Sequence, residues 1–125
     1  MIKFIVFGLP VPKGRPRFTR KGFAYTPSNT REAERDFKVQ ALQFKPNKPL
    51  EGPIRLVVNV FKPKPKSKKK SIVHMTTRPD LDNYIKLVED AMNGIFFKDD
   101  SQIVEIHATK SYGDARTEIE LSEVV

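Results

Sequence analysis

Apolar residues along this 125-residue chain recur with two periods, and the places where the period changes divide it into elements. Met1 to Phe7 is rich in Ile, Val and Phe and predicts a strand that Pro10 and Pro12 end. A period near 3.6 then links Ala33, Phe37, Ala41 and Phe44, which predicts a helix capped by Ser28, Asn29 or Thr30 and running to about Phe44. Pro46 and Pro49 stop it, and Leu50-Glu51-Gly52-Pro53 turns into the next element. From Ile54 to Phe61 the period is two, with Leu56, Val58 and Val60 facing one way and Arg55, Val57, Asn59 and Phe61 the other. Such a strand has both faces partly covered.

A second helical stripe, Leu81, Tyr84, Ile85, Val88, Ala91, Met92 and Ile95, leaves Asp82, Lys86, Glu89 and Asn93 on its polar side. Asn93-Gly94 ends it. Gln102 to Tyr112 alternates again, Gly113-Asp114 predicts a hairpin turn, and Arg116 to Val124 forms the last strand. Four strands and two principal helices in this order predict an α+β domain with a mixed or largely antiparallel sheet. No internal repeat is visible.

Composition narrows the function. A chain of this length with 38% hydrophobic residues supports one domain, residues 1–125, with room for a modest core. A formal net charge of +8 and a pI near 9.8 call for an anionic partner. Nucleic acid is favoured over membrane, because no apolar run approaches a spanning length and prolines break up the lysine-rich segment. Met1 to Leu9 is too short for a secretory h-region, so no signal peptide is expected. There is no cysteine, hence no disulfide framework, thiolate metal site or cysteine nucleophile. Both features are compatible with a cytoplasmic protein.

The cations are clustered. Lys13, Arg15, Arg17, Arg20 and Lys21 are expected to contact DNA, since so many cations without local acids repel one another unless an anion is bound; they alternate with Phe18, Phe23 and Tyr25, rings that serve either as core plugs or as platforms for bases. Lys62 to Lys70 has no core residue; Lys68, Lys69 and Lys70 close it. A charge run is ordinarily a solvated loop, but this one immediately precedes an acidic segment, so it is assigned to DNA phosphates. His74 and His107 stand alone and are read as incidental.

That acidic segment runs from Arg78 to Asp100. Taken singly, its aspartates have ordinary explanations: Asp80 as a helix cap, Asp82 at the positive end of the dipole or paired with Lys86, Asp99 and Asp100 in a turn. Together they suggest more. Two acids at a helix start, joined by one from a neighbouring turn, suit magnesium, which takes one or two carboxylates and keeps several waters. A lysine one turn along can steady a phosphate or its developing charge.

The run Arg78-Pro79-Asp80-Leu81-Asp82-Asn83, then Lys86, then Phe97-Lys98-Asp99-Asp100-Ser101-Gln102-Ile103, resembles the signature of the RusA family of Holliday junction resolvases, widespread in bacteria and their prophages. Gly8 to Arg17 is similar to the opening of phage-type members. The resemblance implies a dimeric, magnesium-dependent endonuclease that nicks four-way DNA junctions symmetrically. By position it implies metal binding by Asp80, Asp82 and Asp100 and a catalytic role for Lys86. Asp99 matches an adjacent acid of less definite role.

Other classes remain in view. A PD-(D/E)xK nuclease needs an acid two residues before its lysine, whereas Lys86, Lys98 and Lys110 follow Tyr84, Phe96 and Ala108 at that spacing. A non-catalytic DNA-binding module accounts for the basic loops but not for carboxylates facing DNA. A small structural or regulatory phage protein would use the aspartates only as caps and turns.

Overall fold

The chain folds as two layers, a four-stranded sheet with two α-helices on one face. The computed structural model describes residues 1–14 and 30–125; of the stretch between, only backbone assignments at Arg17–Phe18, Ala24–Tyr25 and the helix start at Ser28 are described. The strands are β1 (Ile2–Phe7), β4 (Ile54–Lys62), β5 (Ile103–Tyr112) and β6 (Arg116–Glu123), in the order β1-β6-β4-β5. Two short strands, β2 (Arg17–Phe18) and β3 (Ala24–Tyr25), pair separately. The helices are α1 (Ser28–Ala41) and α2 (Leu81–Met92). Pairing is antiparallel between β1 and β6 and between β6 and β4, and parallel between β4 and β5. The sheet is thus mixed, and α2 lies on the crossover that parallel pairing demands.

Alternation decides which side chains meet the helices. Phe4 and Val6, Ile54 to Val60 at every second position, and Ile119 and Leu121 face Phe37 and Ala41 of α1 and Tyr84, Val88, Ala91 and Met92 of α2. Phe96 and Phe97 close the core beyond α2, and Phe96 stacks on Phe4 with centroids 5.4 Å apart. Leu87 is buried as well, although it lies outside the stripe expected from spacing. Phe44, beyond the end of α1 in a single 3-10 turn, stacks on the other side of Phe4 at 5.2 Å. Gln40 of α1 accepts from the amide of Phe7 and donates to its carbonyl, both at 2.8 Å, which satisfies the end of an edge strand.

Among the described residues, the sheet's other face carries cross-strand polar pairs rather than a second helical layer. Lys3 meets Glu120 at 3.2 Å, Thr109 donates to Asn59 at 2.6 Å, and the Arg116 guanidinium lies 3.7 Å from the Phe61 ring centre.

One expectation is corrected. Gly113-Asp114 does not close a hairpin, because β6 pairs with the opposite edge of β4 rather than with β5. Parallel pairing with β5 fills only one edge of β4, and β6 fills the other. The connection therefore steps across the end of β4, where the amide of Gly113 donates to the carbonyl of Lys62 at 2.9 Å. A Cβ on Gly113 would stand 3.1 Å from the Phe61 ring, so a residue without a side chain suits the crossing.

Candidate active site

The site is assembled around the crossover helix. Asp80 occupies the N-cap of α2 with an extended backbone, and its carbonyl accepts from the amide of Asn83 at 3.1 Å. Its carboxylate makes no capping hydrogen bond. Asp82, in the first turn, is exposed and does not pair with Lys86. Neither acid is therefore occupied by the local role its position suggests.

Lys86 points the other way along the helix. Its ammonium lies 3.1 Å from Asp90 Oδ1 and 3.6 Å from Asp100 Oδ2, with its side chain 53% exposed and that of Asp100 31%. The hydrogen bond to Asp90 holds the Lys86 pKa above its ordinary value; burial opposes this, and the charges of Asp90, Asp100 and Glu89 reinforce it. Lys86 thus stays a cation.

Asp99 and Asp100 are adjacent but differently employed. Asp99 caps the 3-10 turn Asp100–Gln102, accepting from the Ser101 amide at 3.1 Å, while Gln102 Oε1 accepts from the Asp99 amide at 2.9 Å. A hydrogen bond with the Ser101 side chain, and after it the one from the Ser101 amide, lowers the Asp99 pKa. Gln102 Nε2 also donates to the carbonyls of Leu50 and Gly52, both at 2.9 Å, fastening the turn to the entry of β4. Asp99 and Gln102 build a capping box, and the box presents Asp100 toward Lys86.

Two further lysines hold the frame. Lys110 of β5 donates to the carbonyls of Thr77 and Pro79, fixing the segment that leads into Asp80. Lys13 is ion-paired with Glu34 of α1 and lies 3.1 Å from Asp90 Oδ2, while its amide donates to the carbonyl of Asn83 at 2.9 Å. Burial would lower the Lys13 pKa, but the bonds to Glu34 and Asp90 outweigh it and leave the pKa raised. A chain of alternating charge results: Glu34, Lys13, Asp90, Lys86, Asp100.

Among the residues singled out from sequence, Lys86 and Asp100 are brought together, and Asp80 and Asp82 lie at the start of the same helix. Lys13, expected to contact DNA, has its charge engaged internally by two carboxylates. Arg15, Arg17, Arg20 and Lys21, with Phe18, Phe23 and Tyr25, lie outside the residues whose side chains are described. Lys69 and Lys70 are exposed and Lys68 half-buried. Their loop is pinned from within, because Lys64 donates to the carbonyls of Lys69 and Lys70, both at 2.8 Å.

Sequence reasoning missed Asp90, Glu34 and Lys110. Asp90 carries a signal, standing four residues after Lys86, the same spacing as Asp82 to Lys86. Lys110 carries one too: it shares the inward-facing alternation of β5 with Ala108, pairing opposite buried Val60. Glu34 has none, since its partner comes from a distant loop.

The donor chemistry fits a hard divalent cation. Asp80, Asp82 and Asp100 offer carboxylate oxygens only, and the first two are free of other duties. Among the described residues no three acidic or histidine side chains converge tightly enough to hold an ion unaided. An ion bound here would complete its shell with water or phosphate, as magnesium commonly does. No helix among the described residues is long and apolar enough to cross a membrane.

Comparison with known proteins gives concordant matches. The family model described as Endodeoxyribonuclease RusA matches residues 8–122. The uncharacterized protein YqaN of Bacillus subtilis (strain 168) is 36% identical over an alignment of 137 positions, covering 98% of this chain and 96% of the relative. The crossover junction endodeoxyribonuclease rusA of Lactococcus phage r1t is 40% identical over 91 residues, covering 70% of this chain and 69% of the phage protein.

Proposed function

Because this chain belongs to the RusA endodeoxyribonuclease family, we propose that it is a magnesium-dependent resolvase that cuts four-way DNA junctions by paired symmetric nicks. The observation that carries the reading is the state of Asp80: an aspartate at a helix N-cap whose carboxylate does not cap, at the start of the same helix whose Lys86 meets Asp100. A purely structural role leaves that carboxylate unexplained.

Asp80, Asp82 and Asp100 would hold magnesium. Magnesium held by these three carboxylates would supply Lewis-acid polarisation of the scissile phosphate and charge stabilisation for the attacking and leaving oxygens. Lys86 would neutralise charge building on the phosphate. The capping box of Asp99 and Gln102 keeps Asp100 in register, and no protein nucleophile is required. The cations of residues 62–70, which precede the acidic segment in sequence, would grip the phosphates of a DNA arm. Paired nicks on a two-fold substrate need two sites, and a C2 homodimer supplies them. Such an enzyme serves recombination and repair in the cytoplasm.

Incubation with a synthetic four-way junction tests the reading. The expected outcome is paired, symmetry-related nicks with magnesium and none after chelation. Absence of junction cleavage throughout a magnesium titration, or equal cleavage of linear duplex, would overturn it.

A further inference from the structure

The geometry points to Asp90 as a positioning residue for Lys86, one that is itself set in place by Lys13. This rests on the role proposed above for Lys86. Asp90 is not required by the metal chemistry, yet its carboxylate bridges two lysines, with Oδ1 3.1 Å from Lys86 and Oδ2 3.1 Å from Lys13.

Lys86 needs such a partner. Its side chain is long and half-exposed, and an unrestrained lysine samples many rotamers. Asp100 is the looser of its two carboxylate neighbours at 3.6 Å, and it is also the one assigned to the metal. If Asp100 turns to a cation, Asp90 is the group that keeps the ammonium in place. Asp90 can do so because it is anchored behind. Its other oxygen faces Lys13, which has its own ion pair to Glu34 of α1 and its amide bonded to the first turn of α2. The side chains of Lys13, Asp90 and Glu34 are each less than a quarter exposed, so the anchor is shielded while the working end of Lys86 is not.

A rival account makes Asp90 a simple tie between α1 and α2. The two differ in how substitutions combine. If Asp90 acts through Lys86, its loss matters only while Lys86 is present; if it only ties helices, losses multiply. Single-turnover cleavage of a four-way junction by wild type, Asp90→Asn, Lys86→Met and the double variant decides this. Asp90→Asn should cut about 10- to 100-fold more slowly, the scale of lost supporting contacts, with junction affinity retained. The double variant should be no slower than Lys86→Met alone. Should Asp90→Asn fail to fold, Asp90→Glu keeps the charge, displaces the ammonium by a methylene and should show the same rate loss.

Nitrogen-15 relaxation at the Lys86 ammonium provides a reading that needs no cleavage, and so stands apart from whether junctions are the substrate. Order at Nζ should fall in Asp90→Asn and fall less in Lys13→Met. Wild-type cleavage by folded Asp90→Asn, multiplicative loss in the double variant, or unchanged order at Lys86 would each overturn the assignment.

Discussion

The ammonium of Lys110 lies 2.9 Å from the carbonyl oxygen of Pro79, the last peptide oxygen before Asp80. A second contact at 2.8 Å, to the Thr77 carbonyl, makes Lys110 a clamp across the loop that delivers the first acid of the site. Lys110→Met keeps the stem and removes both bonds. Charged hydrogen bonds of this kind stabilise by about 1.5–3 kcal/mol, so a urea titration should show a loss near the lower end of that range. Displacing a reacting group by an ångström can cost about 100-fold in rate, and cleavage should fall by an order of magnitude or more with binding intact. Wild-type cleavage by this variant would show that the clamp does not position Asp80.

The lysine loop makes a different prediction, because its side chains are proposed to meet phosphates while its main chain is already pinned by Lys64. Neutralising Lys68, Lys69 and Lys70 to Gln should weaken junction binding evenly across sequences. Each lost phosphate contact should reduce the slope of log K against log salt by about 0.9. A titration at several salt concentrations measures this, and an unchanged slope would remove the loop from the binding surface.

How much of this was legible in the sequence depends on where each residue finds its partners. The elements were legible, because the periods of Ile54 to Phe61 and of Leu81 to Met92 are set by burial against a single core. The split of Asp99 from Asp100 was not, because it rests on Gln102 reaching Leu50 and Gly52 about fifty residues away in sequence. The pairing of Lys86 with Asp90 in preference to Asp82 was equally hidden, since on an isolated helix the acid-first order of Asp82 and Lys86 is the better one, and only Lys13, from a distant loop, buttresses Asp90. The β5–β6 connection misled for a related reason. A turn sequence reports local geometry, not which edge of β4 is free.

Glu89 offers a pH test of the same neighbourhood. Its pKa is raised, first because burial penalises the charge; Lys86 pulls it down, and Asp100 and Asp90 push it up. A carboxyl whose folded pKa lies above its unfolded one leaves the folded state holding more protons, so stability drops as pH climbs past the ordinary value of 4.5. Glu89→Gln abolishes that penalty. Thermal midpoints of the two proteins should differ little at pH 4 and diverge in favour of the variant toward pH 7. A gap that does not grow with pH would refute this account of Glu89.

The carboxylates themselves give the sharpest test, because the structure separates acids that serve the fold from acids that do not. Asp99 caps a turn, so Asp99→Asn, which preserves a side-chain oxygen acceptor, should leave cleavage near wild type. Asp80→Asn, Asp82→Asn and Asp100→Asn also preserve shape and an oxygen, and at the N-cap and in turns Asn is as well suited as Asp. Their folding should therefore change by less than about 0.5 kcal/mol. Cleavage should nonetheless fall by at least about 100-fold in each, the scale seen when one group stabilising transition-state charge is removed. Junction binding should persist or tighten, since a negative charge near the phosphates is gone. Lys86→Ala should also bind without cutting, yet keep its magnesium affinity, because the ammonium ligates nothing. The neighbouring pair is the decisive comparison: Asp99→Asn and Asp100→Asn make the same exchange of a carboxylate oxygen for an NH2 group at adjacent residues and should differ in rate by two orders of magnitude. If Asp82→Asn and Asp100→Asn, both folded by circular dichroism, cut junctions at the wild-type rate across a magnesium titration, the site assignment is wrong.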